Sequence, residues 1–593
     1  MKSIIYYALE RVEAADVELA ASRAGGPALH VRIGDSDWPA DLSVETATLV
    51  SSRDYGYRDE FMEFLNRLVA TLPKVELHGV DLIEVIRYEW LFAAEEDFHS
   101  AWALATIIRD YHPERIVLAS KPEKDFSGLR EWCRKQGIEL VESKRSSTNP
   151  LVRRMRGLAY RARFTAYQWR QNLRHRSRTA LPPVAPGQSA RVVFSEFYPN
   201  STKVAEATAN GLTAMRPIDA VFVAGRDVVK EALSKCQYPL YHFDEFGATD
   251  RQLARKLVKE LSAAFERLDA NLFVTDPRHP PCREFLMPVL RRTAVQCLRN
   301  AAITVSKMRS MLATMQPKMV VSTTFASIYG RALALAATQA GIPSVYVQHG
   351  ILGQGRFYSY MPFSHSLVWG DCNKRALVKC GANERQVTVV GAPNQDEMVR
   401  WRSQSNSNGA AQAHEPRVLF LASRAAGSVT SATMFERILV DVYEAAMSIP
   451  DGQLIVKIHP GDHTGIAARV LQGKQRVTLL KSESSLELIT QCDIAIVTSS
   501  GTGLETCALD KPLIIFLPPG VFNIVDYESY GAAITVSDGP ALKDTLQRAL
   551  NDSQLLAALN AGRRRLLDDM LDGATGESRD KAAAVLCQIL DES

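Results

Sequence analysis

The sequence predicts an α/β protein of parallel sheets covered by helices on both faces, in three successive units. Three observations carry this. Apolar runs of about four to six residues alternate with stretches long and amphipathic enough for helices, as expected of strands buried on both faces. This rhythm breaks twice, at an arginine-rich segment followed by the loop "ALPPVAPGQSA" and at the polar run "SQSNSNGAAQAHE" (403–415). A chain of 593 residues is also longer than one core ordinarily supports.

In the first unit, residues 1–150, "SIIYYAL", "ALHVRI", "RIVLAS" and "IELVES" are strands. "FHSAWALATIIRDY" and "FSGLREWCRKQG" are helices between them. Residues 151–189 form a basic helical segment and linker, with nine arginines and no acid between Val152 and Thr179. The second unit, 190–370, has strands "RVVFSE", "DAVFVAG", "NLFVTD" and "KMVVSTT", then the helix "SIYGRALALAATQAG" and the strand "PSVYVQHG". The third, 371–593, runs strand "RVLFLAS", helix "SATMFERILVDVYEAAMS", strands "QLIVKIHP" and "RVTLLK", helix "SSLELITQ", strand "DIAIVTSS", helix "GLETCALD" and strand "PLIIF". The second and third units are expected to hold two separate sheets facing across a cleft, with C-terminal helices able to cross back.

Composition narrows the class. Hydrophobic residues make up 46% and charged ones 23%, as in soluble globular proteins, and a net charge of +4 gives no reason to expect nucleic acid as a partner. Nine cysteines contain no CxxC pair, so buried reduced thiols in a cytoplasmic protein are expected and not a disulfide framework or zinc site. The N-terminal apolar run turns acidic too soon for a secretory signal, and no run of about 18 apolar residues predicts a membrane span.

In open parallel sheets, ligands bind outside the carboxyl ends of the strands. Glu196, His349, Arg424, His459 and the 499–505 cluster all fall at such ends. Ser499, Ser500, Gly501 and Thr502 stand where a strand turns into a helix, so hydroxyls and N–H groups there would hold a phosphate. A plain helix cap with Glu505 in the first turn is the alternative. His459 follows "LIVKI", Pro460 stops that strand, and Lys457 lies two positions back on the same sheet face. His459 would donate to a phosphate oxygen, and Arg424 would clamp a diphosphate; a structural histidine and a surface arginine are the alternatives. His349 is the candidate general base and Glu196 the second choice, against readings as a backbone-bonded loop histidine and a solvated carboxylate. The pair Asp35 and Asp37 in "GDSDWP" is too short a motif, in the wrong unit, to support a metal; no metal or cofactor is expected.

Residues 318–516 carry a resemblance. "QHG", "VVGAPNQD" (389–396), "KIHP" and "TSSGTGLETCALDKPLIIF" resemble, in order and spacing, the GT-B glycosyltransferases of bacterial surface-polysaccharide assembly. They are similar to the CMP-dependent sialic acid and Kdo transferases and to the CDP-glycerol glycerophosphotransferases. The resemblance implies a GT-B-like pair of Rossmann-type domains with an additional N-terminal α/β domain. It implies a metal-independent transferase, with an acceptor-side domain at 190–370 and a nucleotide-donor domain at 371–593. The donor site would comprise Arg424, Lys457, His459, Pro460, Ser499, Ser500, Gly501, Thr502 and Glu505. A CMP-sugar is favoured over CDP or UDP donors, and the acceptor would be a glycan or lipid-linked glycan. No Asp/Glu-Asp/Glu-Gly base motif is present beyond the echo "DEFG" at 244–247. Non-hydrolysing UDP-N-acetylhexosamine 2-epimerases share part of the pattern, and a catalytically inactive carbohydrate-binding scaffold is a further alternative. The 152–179 segment is a solvated helical face, an internal clamp on acidic groups, or a docking element for the anionic inner-membrane surface.

Overall fold

The computed structural model describes residues 3–7, 14–26, 28–32, 49–51, 67–90, 108, 110–119, 127–142, 187, 189–247, 251–267, 287–352, 361–399, 402, 415–423, 432–498, 500–518, 521 and 524–593. The expected strand "NLFVTD", most of "FHSAWALATIIRDY", the 152–179 segment, Asp35, Asp37, Arg424 and Ser499 lie outside them, as does all but Glu415 of the 403–415 run.

Among the described residues, three parallel sheets and one two-stranded pair account for the strands. The first has β1 (Ser3–Tyr7), α1 (Ala14–Ala24), β2 (Ala28–Arg32), β3 (Leu49–Ser51), then, as a separate antiparallel pair, β4 (Glu76–Leu77) and β5 (Val80–Asp81), and then β6 (Arg115–Leu118), α2 (Ser127–Gln136) and β7 (Glu139–Glu142). Its order is β3-β2-β1-β6-β7. Next come β8 (Arg191–Glu196), α3 (Thr202–Met215), β9 (Asp219–Ala224), α4 (Asp227–Ala232), β10 (Leu240–His242), α5 (Arg251–Arg267), α6 (Met287–Met315), β11 (Met319–Ser322), α7 (Ile328–Gln339), β12 (Ser344–Val347), β13 (His365–Val368), α8 (Asp371–Lys379) and β14 (Val387–Val389). Their sheet order is β10-β9-β8-β11-β12-β13-β14. The last series is β15 (Arg417–Leu421), α9 (Ala432–Met447), β16 (Gln453–Lys457), α10 (Ile466–Leu471), β17 (Val477–Leu480), α11 (Ser485–Gln491), β18 (Ile494–Val497), α12 (Thr502–Ala508), β19 (Leu513–Phe516), β20 (Ile534–Val536), α13 (Gly539–Asn551), α14 (Ser553–Leu571) and α15 (Ser578–Glu592). Its order is β17-β16-β15-β18-β19-β20.

The α/β class expected from the apolar rhythm is the class observed. Each sheet starts in its middle, winds to one edge, then returns and winds to the other, as in doubly wound nucleotide-binding folds. The middle sheet runs past residue 370, where the sequence pattern placed a boundary. The three-residue β14 is only partly buried and follows a short polar helix, so its apolar signal was weak.

Contacts divide the chain into two compact units. One comprises Met1–Pro199, Val221–Ser344 and Pro362–Ser364; the other comprises Asn200–Ala220, Val345–Met361 and His365–Ser593.

In the first unit, the 76–90 stretch is fastened to α6 and α7. Arg331 of α7, 1% exposed, donates from Nε to the Glu84 carbonyl at 2.5 Å and pairs with the Glu84 carboxylate at 3.1 Å. Its guanidinium lies 5.2 Å from the centre of the Tyr88 ring. Trp90 is fully buried, and its indole N–H donates to the Leu290 carbonyl at 2.9 Å. Glu84 keeps its pairing with Arg87, so the cost of Arg331→Ala is the cavity left beside Tyr88 and the lost bonds to Glu84, about 2–4 kcal/mol of this unit's stability. Urea unfolding checks this; Arg331→Met, which retains the packing, should recover part of the loss.

In the second unit, alternate residues of each central strand enter opposite cores. Leu419, Leu421, Ala495, Val497, Leu513 and Ile515 face one; Val418, Phe420, Ile494, Ile496, Ile514 and Phe516 face the other. The C-terminal α15 packs on α3, where a Cβ on Gly211 would lie 2.8 Å from the Arg579 carbonyl oxygen. Asp396 accepts from the N–H groups of Ser578 (3.1 Å) and Arg579 (2.8 Å), capping α15. Gly391, with φ +78°, lies against the Ser578 side chain. The "VVGAPNQD" run therefore anchors the C-terminal helix.

Candidate functional site

The switch point of the six-stranded sheet lies between β15 and β18, whose residues pair from Val418 with Ile494 to Leu421 with Val497. Ser423 and Thr498, just beyond these strands, are both buried, and their hydroxyls lie 2.5 Å apart. This bond joins the two strand ends where Arg424 and Ser499 follow in sequence.

On the neighbouring β16, the His459 turn is held from several sides. Its imidazole Nδ1 accepts the Gly461 N–H at 3.0 Å, so the neutral ring carries its proton on Nε2. The Asp462 N–H donates to the His459 carbonyl at 2.9 Å, and the Asp462 carboxylate accepts from both the N–H and hydroxyl of Thr464 at 2.8 Å. Lys481 donates to the Asp462 carbonyl at 2.7 Å. Lys457 is buried, and its ammonium donates to the Lys481 carbonyl at 2.7 Å. Burial lowers its pKa, and its bonding places it as a brace between β16 and β17. His459 and Pro460 are exposed at the turn.

The turn after β18 is built from hydroxyls. Ser500 Oγ lies 2.9 Å from Thr502 Oγ1 and accepts the Thr502 N–H at 3.3 Å. Behind it, Tyr527 is 1% exposed and donates its hydroxyl to the Ser500 carbonyl at 3.2 Å. A Cβ on Gly503 would lie 2.4 Å from that phenolic oxygen, so glycine makes room for the tyrosine. Helix α12 has only seven residues and no side-chain cap at Gly501. The Ser500 and Thr502 hydroxyls are thus the main polar groups of this turn.

His349 lies within the same unit. It follows β12 and is half-buried, and two residues later Ile351 packs against the core that includes Val497 and Leu504. A Cβ on Gly501 would sit 3.3 Å from Ile351 Cδ1, so the turn after β12 and the turn after β18 abut. Glu196, at the end of β8 in the other unit, is fully buried. Its carboxylate accepts the Thr323 N–H at 3.1 Å and the Thr323 hydroxyl at 2.5 Å.

Glu505 is partly exposed in the first turns of α12. Burial pushes its carboxyl up to about 7, with the Lys203 ammonium opposing. The folded state thus holds this proton to higher pH than the unfolded chain does. Its stabilising contribution is complete below about pH 4.5 and is lost as pH rises towards about 7. Glu505→Gln should therefore raise the melting temperature at pH 8 while changing little at pH 4; an equal effect at both would contradict this.

Sequence reading missed Gln348, Asn373, Lys481 and Tyr527. Gln348 was visible beside His349 in "VQHG"; the others lie on remote segments, and sequence periodicity carries no signal for such contacts.

No protein-family model and no curated protein matches the chain in sequence. Among solved structures, it aligns with UDP-GlcNAc 2-epimerase from Neisseria meningitidis bound to UDP-GlcNAc, at 12% identity and a TM-score of 0.44, over 68% of this chain and 100% of that one. A putative UDP-N-acetylglucosamine 2-epimerase from Listeria monocytogenes aligns at 12% identity and a TM-score of 0.46, over 68% and 98%. A glycosyltransferase from Rickettsia africae aligns at 11% identity and a TM-score of 0.40, again over 68% and 98%.

Proposed function

We propose that the protein is a GT-B-type glycosyltransferase that moves a sugar from a nucleotide donor to a hydroxyl of a surface-polysaccharide acceptor. The observation that carries this reading is the meeting of the His349 turn with the Ser500–Thr502 turn, through Ile351 and Gly501. We read the first turn, after a strand of the seven-stranded sheet, as carrying the base, and the second, after a strand of the six-stranded sheet, as the phosphate cradle, both at carboxyl ends of strands.

In this reading His459 donates from Nε2 to the donor's phosphate oxygens, and the Ser500–Thr502 hydroxyl pair donates the one proton not spent on their mutual bond. Glu505 accepts from ribose hydroxyls. Lys457 acts through the His459 turn, since its ammonium is committed to main-chain carbonyls. His349 takes the proton of the acceptor hydroxyl as that oxygen attacks the anomeric carbon. The bond from that carbon to the phosphate oxygen breaks, and the nucleotide leaves with the electron pair, stabilised by the donors at His459 and the 500–502 turn. His349 is preferred to Glu196 because both Glu196 oxygens are engaged by Thr323. Arg424 and Ser499 complete the donor set on sequence position, and a CMP-activated ulosonic acid is the proposed donor on the resemblance of the motifs.

Incubation with CMP-, CDP- and UDP-activated sugars plus glycan acceptors tests this. Release of free nucleotide with an extended acceptor is expected. Conversion to an epimerised sugar nucleotide would make the protein an isomerase. Absence of calorimetric binding for every cytidine and uridine nucleotide would end the nucleotide-sugar reading.

A further inference from the structure

The residue before His349 occupies a position that the proposed chemistry does not use. Gln348 is fully buried, where an unpaired amide would be costly, yet each of its side-chain hydrogen-bonding groups is engaged. Its Oε1 accepts the Trp369 backbone N–H at 2.8 Å. Its Nε2 donates to the Gly350 carbonyl at 2.9 Å and to Asn373 Oδ1 at 3.2 Å. The Gln348 carbonyl accepts the Trp369 indole N–H at 2.9 Å, and its main-chain N–H donates to Leu367 at 2.9 Å. Asn373, 3% exposed, passes the restraint on by donating to the Met570 carbonyl at 3.4 Å.

These bonds hold the backbone immediately before and immediately after His349. The turn bearing the imidazole is thereby tied to β13, to α8 and, through Asn373, to the end of α14. A strand that merely needed to end would not require a buried amide with three polar partners; methionine would fill the same volume without a polar group to satisfy. We propose that Gln348 is a positioning residue, fixing the turn so that the His349 imidazole is held in one reactive placement. This rests on the assignment of His349 as the base.

Positioning errors of about 1 Å can cost about a hundredfold in rate, so the effect should fall on turnover. Gln348→Met should lower kcat by about thirtyfold or more, with the donor KM changed by less than about twofold. It should also displace the pH-rate limb assigned to His349. In the NMR titration of the histidine ring protons, with the His349 signal assigned from His349→Ala, Gln348→Met should shift or broaden that resonance and leave the His459 signal in place. Trp369→Phe, which removes the indole donor to the Gln348 carbonyl together with part of a buried ring, should show the same signature at several-fold size. It serves as the test variant if Gln348→Met does not fold.

Wild-type kcat, pH profile and His349 resonance in a folded Gln348→Met protein would overturn the proposal. So would a loss of donor affinity equal to the loss of kcat, because that would mark general damage to the fold. If the wild-type protein transfers no sugar, or His349→Ala is fully active, the base assignment fails instead. The His349 resonance then still decides whether Gln348 positions the ring, and an unchanged signal overturns the clamp.

Discussion

Replacing His349 with alanine should reduce kcat by about two to four orders of magnitude while leaving the dissociation constant of the nucleotide donor within about threefold of wild type. The asymmetry follows from the arrangement. The donor's phosphate is assigned to groups at the ends of β16 and β18, whereas His349, which follows β12, is proposed to meet the acceptor hydroxyl. An imidazole titrates close to neutral pH, so it can accept that proton without being protonated beforehand. The wild-type kcat should rise with pH along a limb set by this ring, and His349→Ala should abolish that limb. Single-turnover rates with saturating donor are the direct measurement. A variant that keeps full single-turnover activity, or loses donor affinity instead, would remove His349 from the role of base.

Most of the six-stranded sheet was legible because its strands are buried on both faces and therefore read as unbroken apolar runs. "VLFL", "LIVK", "IAIV" and "LIIF" each become a strand at the expected place. Burial on only one side weakened that signal: β14 and β20 are short and half-exposed, and neither was marked as a strand. The 29-residue α6 was also missed, although Leu290, Ala294, Leu298, Ala301, Val305, Met308, Leu312 and Met315 form a continuous buried stripe at helical spacing. At the site, residues at strand ends could be nominated from sequence because strand ends announce themselves by a switch from apolar to polar residues. What could not be read is which polar group reaches a ligand and which serves the fold. Lys457 and His459 are two residues apart, yet one ammonium is buried on a carbonyl and the other side chain is exposed at the turn. Likewise, "VVGAPNQD" looked like part of a binding pattern, whereas Asp396 and Gly391 meet the start of α15. Those differences depend on partners tens or hundreds of residues away.

His459→Ala should weaken donor binding by about ten- to a hundredfold, the cost of one hydrogen bond to a charged phosphate, about 1.5–3 kcal/mol. The prediction rests on how the ring is held. Because Nδ1 already accepts the Gly461 N–H, the imidazole is set in the tautomer that presents a donor from Nε2. The turn that carries it is braced by the Lys481 and Asp462 bonds, so little ordering should be needed when a phosphate arrives. Substitution by alanine removes the donor but leaves the Asp462 N–H to the main-chain carbonyl of residue 459 intact, so the turn should survive and thermal stability should change little. His459→Asn provides the finer test, since its amide can restore a donor, although from a shorter side chain, and should recover part of the affinity. Calorimetric titration with CMP, CDP and UDP would then separate phosphate recognition from base recognition. A similar loss for all three nucleotides is expected of a residue that contacts phosphate. A loss confined to one base would move His459 to the nucleobase, and no loss for any of them would remove it from the donor site.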